Sequence, residues 1–218
     1  MQEQDRHRVI AIDGPAASGK SSVARQLARR LDFVYVNSGA MYRAVTWSVL
    51  NAGIDPADKH RIAELIGNLS LGGALKDREL HLLIDNVDLT EHLHEDRVNS
   101  EVSRVSTVPD VRNVLVQRMR DYANKRDLVV EGRDIGSVVF SDTPYKFYID
   151  ASPEVRAQRR VAQGHRDEIA RRDQADSSRA ASPLVVAKDA EVIDTSHLTV
   201  DEVVDEIVKH LRAKNFKI

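Results

Sequence analysis

The 218-residue chain contains no cysteine. Disulfides, thiolate metal sites and a thiol nucleophile are thereby excluded, and the composition is compatible with a reducing compartment. No apolar run approaches the ~18 residues that a membrane-spanning helix needs. The opening residues, Met1-Gln2-Glu3-Gln4-Asp5-Arg6-His7, are polar and lack the apolar segment of a signal peptide. The expected location is therefore cytoplasmic, with no membrane partner. A formal net charge of −2 excludes a general polyanion binder and predicts no nucleic-acid partner. With 42% hydrophobic and 30% charged residues the composition is that of a globular protein, with one core or one core plus a small insert. No exposed apolar stripe is evident, so a monomer is expected.

What is present is organised around Asp13-Gly14-Pro15-Ala16-Ala17-Ser18-Gly19-Lys20-Ser21, which reads G-x-x-x-x-G-K-S. The apolar run Val9-Ile10-Ala11-Ile12 precedes it as a buried strand. Val23, Ala24, Leu27, Ala28 and Leu31 follow at helical spacing. Strand, glycine loop and helix together make a phosphate cradle. Gly14 and Gly19 permit backbone conformations that other residues rarely adopt. Backbone amides and the helix N-terminus then favour an anion. Gly14, Pro15, Ala16, Ala17, Ser18, Gly19, Lys20, Ser21 and Ser22 are the candidate ATP-binding residues. Lys20 reaches the β- and γ-phosphates, and the Ser21 hydroxyl is the candidate Mg²⁺ ligand.

Further strands are expected at 33–36, 128–130, 145–149 and 190–193, alternating with helices. That alternation predicts an α/β fold with a parallel sheet covered on both faces. Asp55-Pro56 reads as a helix start carrying Ile62, Leu65, Ile66 and Leu69. Residues 70–89 read as a small β insert. In it Gly72-Gly73 is a turn, and Asp85-Asn86 joins strands 80–84 and 87–89. Thr199-Val200-Asp201-Glu202 has capping-box spacing ahead of a last helix.

Ligands of open α/β sheets bind beyond the carboxyl ends of the strands. Three expected strands end in polar, glycine-containing corners: the phosphate loop, Ser38-Gly39 and Gly132-Arg133-Asp134. All three should open on one edge of the sheet. Downstream, residues 156–179 are rich in arginine, with Arg156, Arg159, Arg160, Arg166 and Arg171. On a helix, Arg172, Asp176 and Arg179 share one face. A mobile arginine segment closing over two nucleotides would neutralise their repelling phosphates and exclude water. Such a reaction needs positioning and charge stabilisation but no protein nucleophile.

Asn124-Lys125-Arg126-Asp127 spells N-K-x-D, a guanine-reading motif. Here it precedes a strand instead of following one, which puts it on the wrong edge. His92 and His94 are too close in sequence to share a helix face as metal ligands. The residues alone leave the acceptor open. A P-loop kinase for AMP or shikimate is one alternative; a nucleotide-dependent switch or nucleic-acid-binding NTPase is another.

Four segments resemble the bacterial cytidylate kinases, the (d)CMP kinases of the P-loop nucleoside monophosphate kinase family. They are Ile12-Asp13-Gly14 through Ser22, Asn37-Ser38-Gly39-Ala40-Met41-Tyr42-Arg43, Glu131-Gly132-Arg133-Asp134-Ile135-Gly136-Ser137-Val138-Val139-Phe140, and Arg172-Asp173 through Arg179. Length, mid-chain β insert and segment order match as well, so the resemblance covers nearly the whole chain.

The resemblance implies a P-loop NTPase fold with a five-stranded parallel sheet between helices. It implies a core at 8–37, 105–155 and 180–218, an NMP-binding region at 38–104 and a lid at 156–179. It implies ATP-dependent phosphorylation of CMP and dCMP, with UMP accepted less well, and Mg²⁺ as cofactor. Ser38, Arg43 and Arg133 are implied acceptor-phosphate ligands, with Tyr42 lining their pocket. Ser103, Arg112 and Asp134 are implied cytosine readers. A carboxylate accepts from the exocyclic amine of cytosine, and arginine donates to its ring carbonyl and N3. Arg172 and Asp176 are implied sugar contacts, with Arg179 near the phosphates. Lys20, Arg133, Arg160 and Arg172 are the implied catalytic set. Two departures stand out. Asn37 occupies a position where many relatives carry Asp, which weakens Mg²⁺ binding or assigns it to another carboxylate. The stretch between Arg160 and Arg172 is shorter than in some relatives.

Overall fold

The computed structural model describes residues 7–162 and 184–217. In chain order the elements are β1 (Val9–Asp13), α1 (Lys20–Leu31), β2 (Val34–Asn37), α2 (Ser38–Asn51), α3 (Lys59–Asn68), β3 (Leu71–Lys76), β4 (Glu79–Ile84), β5 (Val87–Asp88), α4 (Asp96–Val105), α5 (Pro109–Ala123), β6 (Leu128–Gly132), a π-helical turn (Ile135–Val139), β7 (Lys146–Asp150), α6 (Pro153–Ala162), β8 (Glu191–Asp194) and α7 (Val200–Ala213). They form two compact units: residues up to Tyr35 together with those from Ala123 onward, and Val36–Tyr122. The division assigns almost all of α5 to the second unit.

The sheet of the first unit runs β2–β6–β1–β7–β8, the five strands expected. β1 is central and pairs in parallel with β6 and β7, and β7 pairs in parallel with β8. All five residues of β1 are buried, as parallel strands covered on both faces require. On one face, Ile10 and Ile12 pack with Leu27 and Leu31 of α1 and with Ile207 and Leu211 of α7. Each such side chain contributes about 1.5–3 kcal/mol by leaving water. The capping box forms as expected. Thr199 Oγ1 accepts from Glu202 N at 3.3 Å, and Glu202 Oε2 accepts from Thr199 N at 2.7 Å.

At the entry end of β6, Asp127 accepts from Arg8 N at 2.6 Å and from Arg8 Nη2 at 2.7 Å. The Arg8 guanidinium also covers the rings of Phe33 and Phe216, 4.8 and 4.6 Å from their centroids. The final residue of the N-K-x-D string thus ties down the N-terminal strand, at the end of β6 opposite Gly132.

In the second unit β3, β4 and β5 form an antiparallel meander. Its turns are Asp77-Arg78 and Asp85-Asn86, all four with positive φ, as two-residue hairpin turns demand. Gly72 and Gly73 do not form the expected turn: they lie within β3. A Cβ on Gly73 would stand 2.0 Å from the Tyr122 hydroxyl oxygen, so this glycine answers a packing need. Asp55-Pro56 does not start α3 either. The Asp55 side chain accepts from Ala57 N in a turn, and α3 begins behind Asp58, whose carboxylate accepts from Arg61 N at 3.0 Å.

Candidate active site

The loop from Gly14 to Gly19 joins β1 to α1. Gly14 has φ +155°, and a Cβ there would meet the Ile149 carbonyl oxygen at 2.1 Å. Gly19 has φ +92° and Ala17 has φ +58°. Alternating hand along a short loop makes backbone amides into an anion-binding concavity. Ala17 adopts the left-handed region despite its Cβ, at a cost of roughly 1–2 kcal/mol.

Side chains from elsewhere hold this curl in place. Arg156 Nη1 donates to Ala16 O at 3.3 Å. Arg159 Nη1 and Thr195 Oγ1 both donate to Ser18 O, at 3.2 and 2.9 Å. Arg159 Nη2 also donates to Thr195 O at 2.7 Å. In a trans peptide the C=O and the next N–H point in opposite directions. Drawing the carbonyls of Ala16 and Ser18 one way therefore turns the amides of Ala17 and Gly19 the other. Lys20 is 7% exposed, and its Nζ donates to Pro15 O at 2.9 Å. Gly19 offers α1 no side-chain cap, so the first amides of that helix take acceptors from outside it, a role that suits an anion.

Alongside, Asp13 pairs in register with Gly132. The phosphate loop and the Gly132-Arg133-Asp134 corner therefore leave the sheet at the same level. Glu131 is buried and accepts from the Tyr35 hydroxyl at 2.8 Å. Arg133 is half-buried, with Nη1 3.5 Å from Gly132 O. Asp134 is 5% exposed, and its carbonyl accepts from Val138 N and Val139 N. Asp13 is buried too, and its carboxyl is pushed up from 3.8 to about 6, chiefly by burial. The amides of Ile135 and Gly136 oppose that shift.

A second group of expected site residues lies in the second unit. Ser38 opens α2 and is buried. Asn37 Oδ1 accepts from Ala40 N at 2.9 Å, which gives the residue a helix-capping role that aspartate would fill equally well. Arg43 Nε donates to Asn99 Oδ1 at 3.3 Å. A Cβ on Gly39 would come within 2.9 Å of Arg43 Nη1, so the glycine leaves room for that guanidinium. Arg112 is buried on α5, 5.9 Å from the Tyr42 ring centroid. Ser103 is half-buried on α4.

Arg160 is half-buried on α6. Arg166, Arg171, Arg172, Asp176 and Arg179 lie outside the described residues. Arg156 and Arg159, grouped in the sequence with a mobile arginine segment, instead bond the phosphate loop. The sequence reading also missed Thr195 as a contact of the loop and Asp13 as a contact of the backbone behind Arg133-Asp134. The arginine density was a visible signal, but the carbonyls it serves lie 140 residues earlier in the chain.

A family model described as cytidylate kinase matches residues 10–213. A cytidylate kinase from Corynebacterium efficiens is 45% identical over 213 residues, covering 92% of this chain and 93% of that protein. A cytidylate kinase from Mycobacterium leprae is 44% identical over 219 residues, covering 95% of this chain and 96% of that protein. The crystal structure of an uncharacterised protein from Eubacterium ventriosum shares the fold. Its TM-score is 0.52 at 16% identity, over 94% of this chain and 99% of that one.

Proposed function

The chain belongs to the cytidylate kinase family, and from that premise we propose how it transfers the γ-phosphoryl group of ATP to CMP and dCMP. One observation carries the reading. The glycine loop and the Arg133-Asp134 corner leave adjacent parallel strands in register, Asp13 opposite Gly132. An anion cradle and a cation–carboxylate pair thus share one sheet edge, as a donor triphosphate and a cytosine nucleotide require.

In this reading, amides of the loop and the start of α1 hold the donor phosphates, and Lys20 adds a three-donor point charge. Arg133, Ser38 and Arg43 are read as acceptor-phosphate ligands, with Tyr42 lining the phosphate's pocket. Asp134 accepts from the cytosine amine while Ser103 and Arg112 complete the base contacts. Adenine lacks the ring carbonyl and guanine presents N1–H where cytosine presents the acceptor N3, so purine monophosphates are poor acceptors. Arg160 and Arg172 supply charge to the transferring group, and Arg172, Asp176 and Arg179 contact the acceptor. No covalent intermediate on the protein is needed. Two aligned, charge-neutralised nucleotides react in line, and a single arginine contact is worth up to 10³–10⁵ in rate in related phosphoryl transfers.

Mg²⁺ fits the donor set. Ser21 presents a hard hydroxyl oxygen in the first turn of α1, and this ion takes few protein ligands beside substrate phosphates. Ser21 would hold it together with the donor phosphates. The ion would supply charge neutralisation at the β- and γ-oxygens. Among the described residues no helix is long and apolar enough to cross a membrane. The cysteine-free composition supports a cytoplasmic enzyme, which we read as a monomer.

The test is turnover with ATP across CMP, dCMP, UMP, AMP and GMP. CMP and dCMP are expected to give the highest kcat/KM, with UMP below them. A preference for a purine acceptor would overturn the reading.

A further inference from the structure

Asp13 is 4% exposed, and each of its carboxylate oxygens has its own donor. Oδ1 accepts from Ile135 N at 2.8 Å and Oδ2 from Gly136 N at 2.7 Å. These amides open the π-helical turn and directly follow Arg133-Asp134. On its other side Asp13 directly precedes Gly14. One side chain therefore ties the root of the phosphate loop to the backbone that carries the corner.

The chemistry of this tie is specific. Two amides arriving side by side need two acceptors, which a carboxylate provides. An asparagine would turn an NH₂ toward one of them and leave a buried donor facing a donor. The turn is packed closely as well. A Cβ on Gly136 would stand 3.2 Å from the Cγ and Cδ of Lys146 and 3.4 Å from Asp13 Oδ2. The Lys146 ammonium is directed elsewhere, to Ser141 O at 2.7 Å and to both Asp189 oxygens at 2.8 Å. Burial raises the Asp13 carboxyl to about 6 in spite of its two amide bonds.

The loop has separate support from Arg156, Arg159 and Thr195. The consequence of the Asp13 tie falls on the corner. We propose that Asp13 is a positioning residue that fixes the Arg133-Asp134 corner in line with the phosphate loop without touching either nucleotide. The proposal rests on the reading of Arg133 and Asp134 as acceptor-nucleotide ligands.

The experiment is steady-state kinetics in both substrates for Asp13→Asn and Gly136→Ala, with Asp134→Ala as control and circular dichroism to verify folding. Asp13→Asn is expected to raise the CMP KM about tenfold, the scale of one buried unsatisfied donor, with the ATP KM within about twofold. Gly136→Ala is expected to show the same split at about threefold, by pressing the turn away from Asp13. If Asp134→Ala raises the CMP KM while the other two variants change neither KM, or both equally, the positioning role is wrong. If Asp134→Ala leaves the CMP KM unaltered, the reading of the corner fails and the proposal fails with it. Should Asp13→Asn not fold, Gly136→Ala decides by the same criterion.

Discussion

Arg159 reaches back from α6 and donates to the carbonyl of Ser18 at 3.2 Å, while its other terminal nitrogen donates to Thr195 O at 2.7 Å. An arginine far along the chain thereby shapes the loop between β1 and α1. Charge-assisted bonds of this kind contribute about 1.5–3 kcal/mol each. Arg159→Ala is expected to raise the ATP KM about tenfold and the CMP KM less than about threefold, since one bond's loss is roughly 1.4 kcal/mol or more. Kinetics with each substrate varied in turn would check this. A loss confined to CMP would contradict it.

Gly14 and Gly19 should tolerate alanine unequally. At Gly14 the new Cβ collides with the Ile149 carbonyl at 2.1 Å, whereas at Gly19 the nearest atom is Arg159 Nη1 at 3.6 Å. Gly19→Ala then carries only the left-handed strain, about 1–2 kcal/mol. Gly14→Ala adds a backbone clash and should cost at least about 3 kcal/mol. Urea unfolding of both variants is the measurement, and equal losses would argue against the described loop.

Asp13 also sets a pH dependence of stability. Its folded-state carboxyl is raised from 3.8 to about 6. The neutral form's stabilising contribution is therefore complete below pH ~4 and lost as pH rises through about 6. Asp13→Asn does not titrate. Wild-type stability relative to that variant should fall by about 3 kcal/mol between roughly pH 3.5 and pH 7. Denaturation of both proteins at the two pH values tests the sign, and a relative stability that grew with pH would refute it.

In the β insert, Gly73→Ala should destabilise by about 1–3 kcal/mol through overpacking against Tyr122. Its Cβ would stand 2.0 Å from the Tyr122 hydroxyl oxygen but 2.9 Å from the ring carbon that bears it. Adding Tyr122→Phe should recover part of the loss. A double-mutant cycle in thermal unfolding gives the coupling directly, and strict additivity would remove the explanation.

These residues also mark what could be read in advance. The strand, loop and helix from Val9 to Leu31 were legible because local periodicity and a short motif agree. The Thr199 capping box and the Asp85-Asn86 turn were legible for the same reason. Gly72-Gly73 was misread because its cause is Tyr122, about fifty residues on. Asp55-Pro56 misled because Asp55 does cap an amide, but that of Ala57 within a turn; the helix begins behind Asp58, its cap. The candidate site divides in the same way. The donor loop follows from its spacing. The work of Asp13, Arg156, Arg159 and Thr195 depends on backbone groups that only the folded chain brings near.

The central claim is that two nucleotides exchange a phosphoryl group directly. Phosphorus-31 NMR of the protein with ATP, CMP and Mg²⁺ tests it most simply. CDP and ADP should appear in equal amounts with little inorganic phosphate, and Lys20→Ala should slow their formation at least about a hundredfold. Release of inorganic phosphate at a rate indifferent to CMP, with CMP unchanged, would contradict the account.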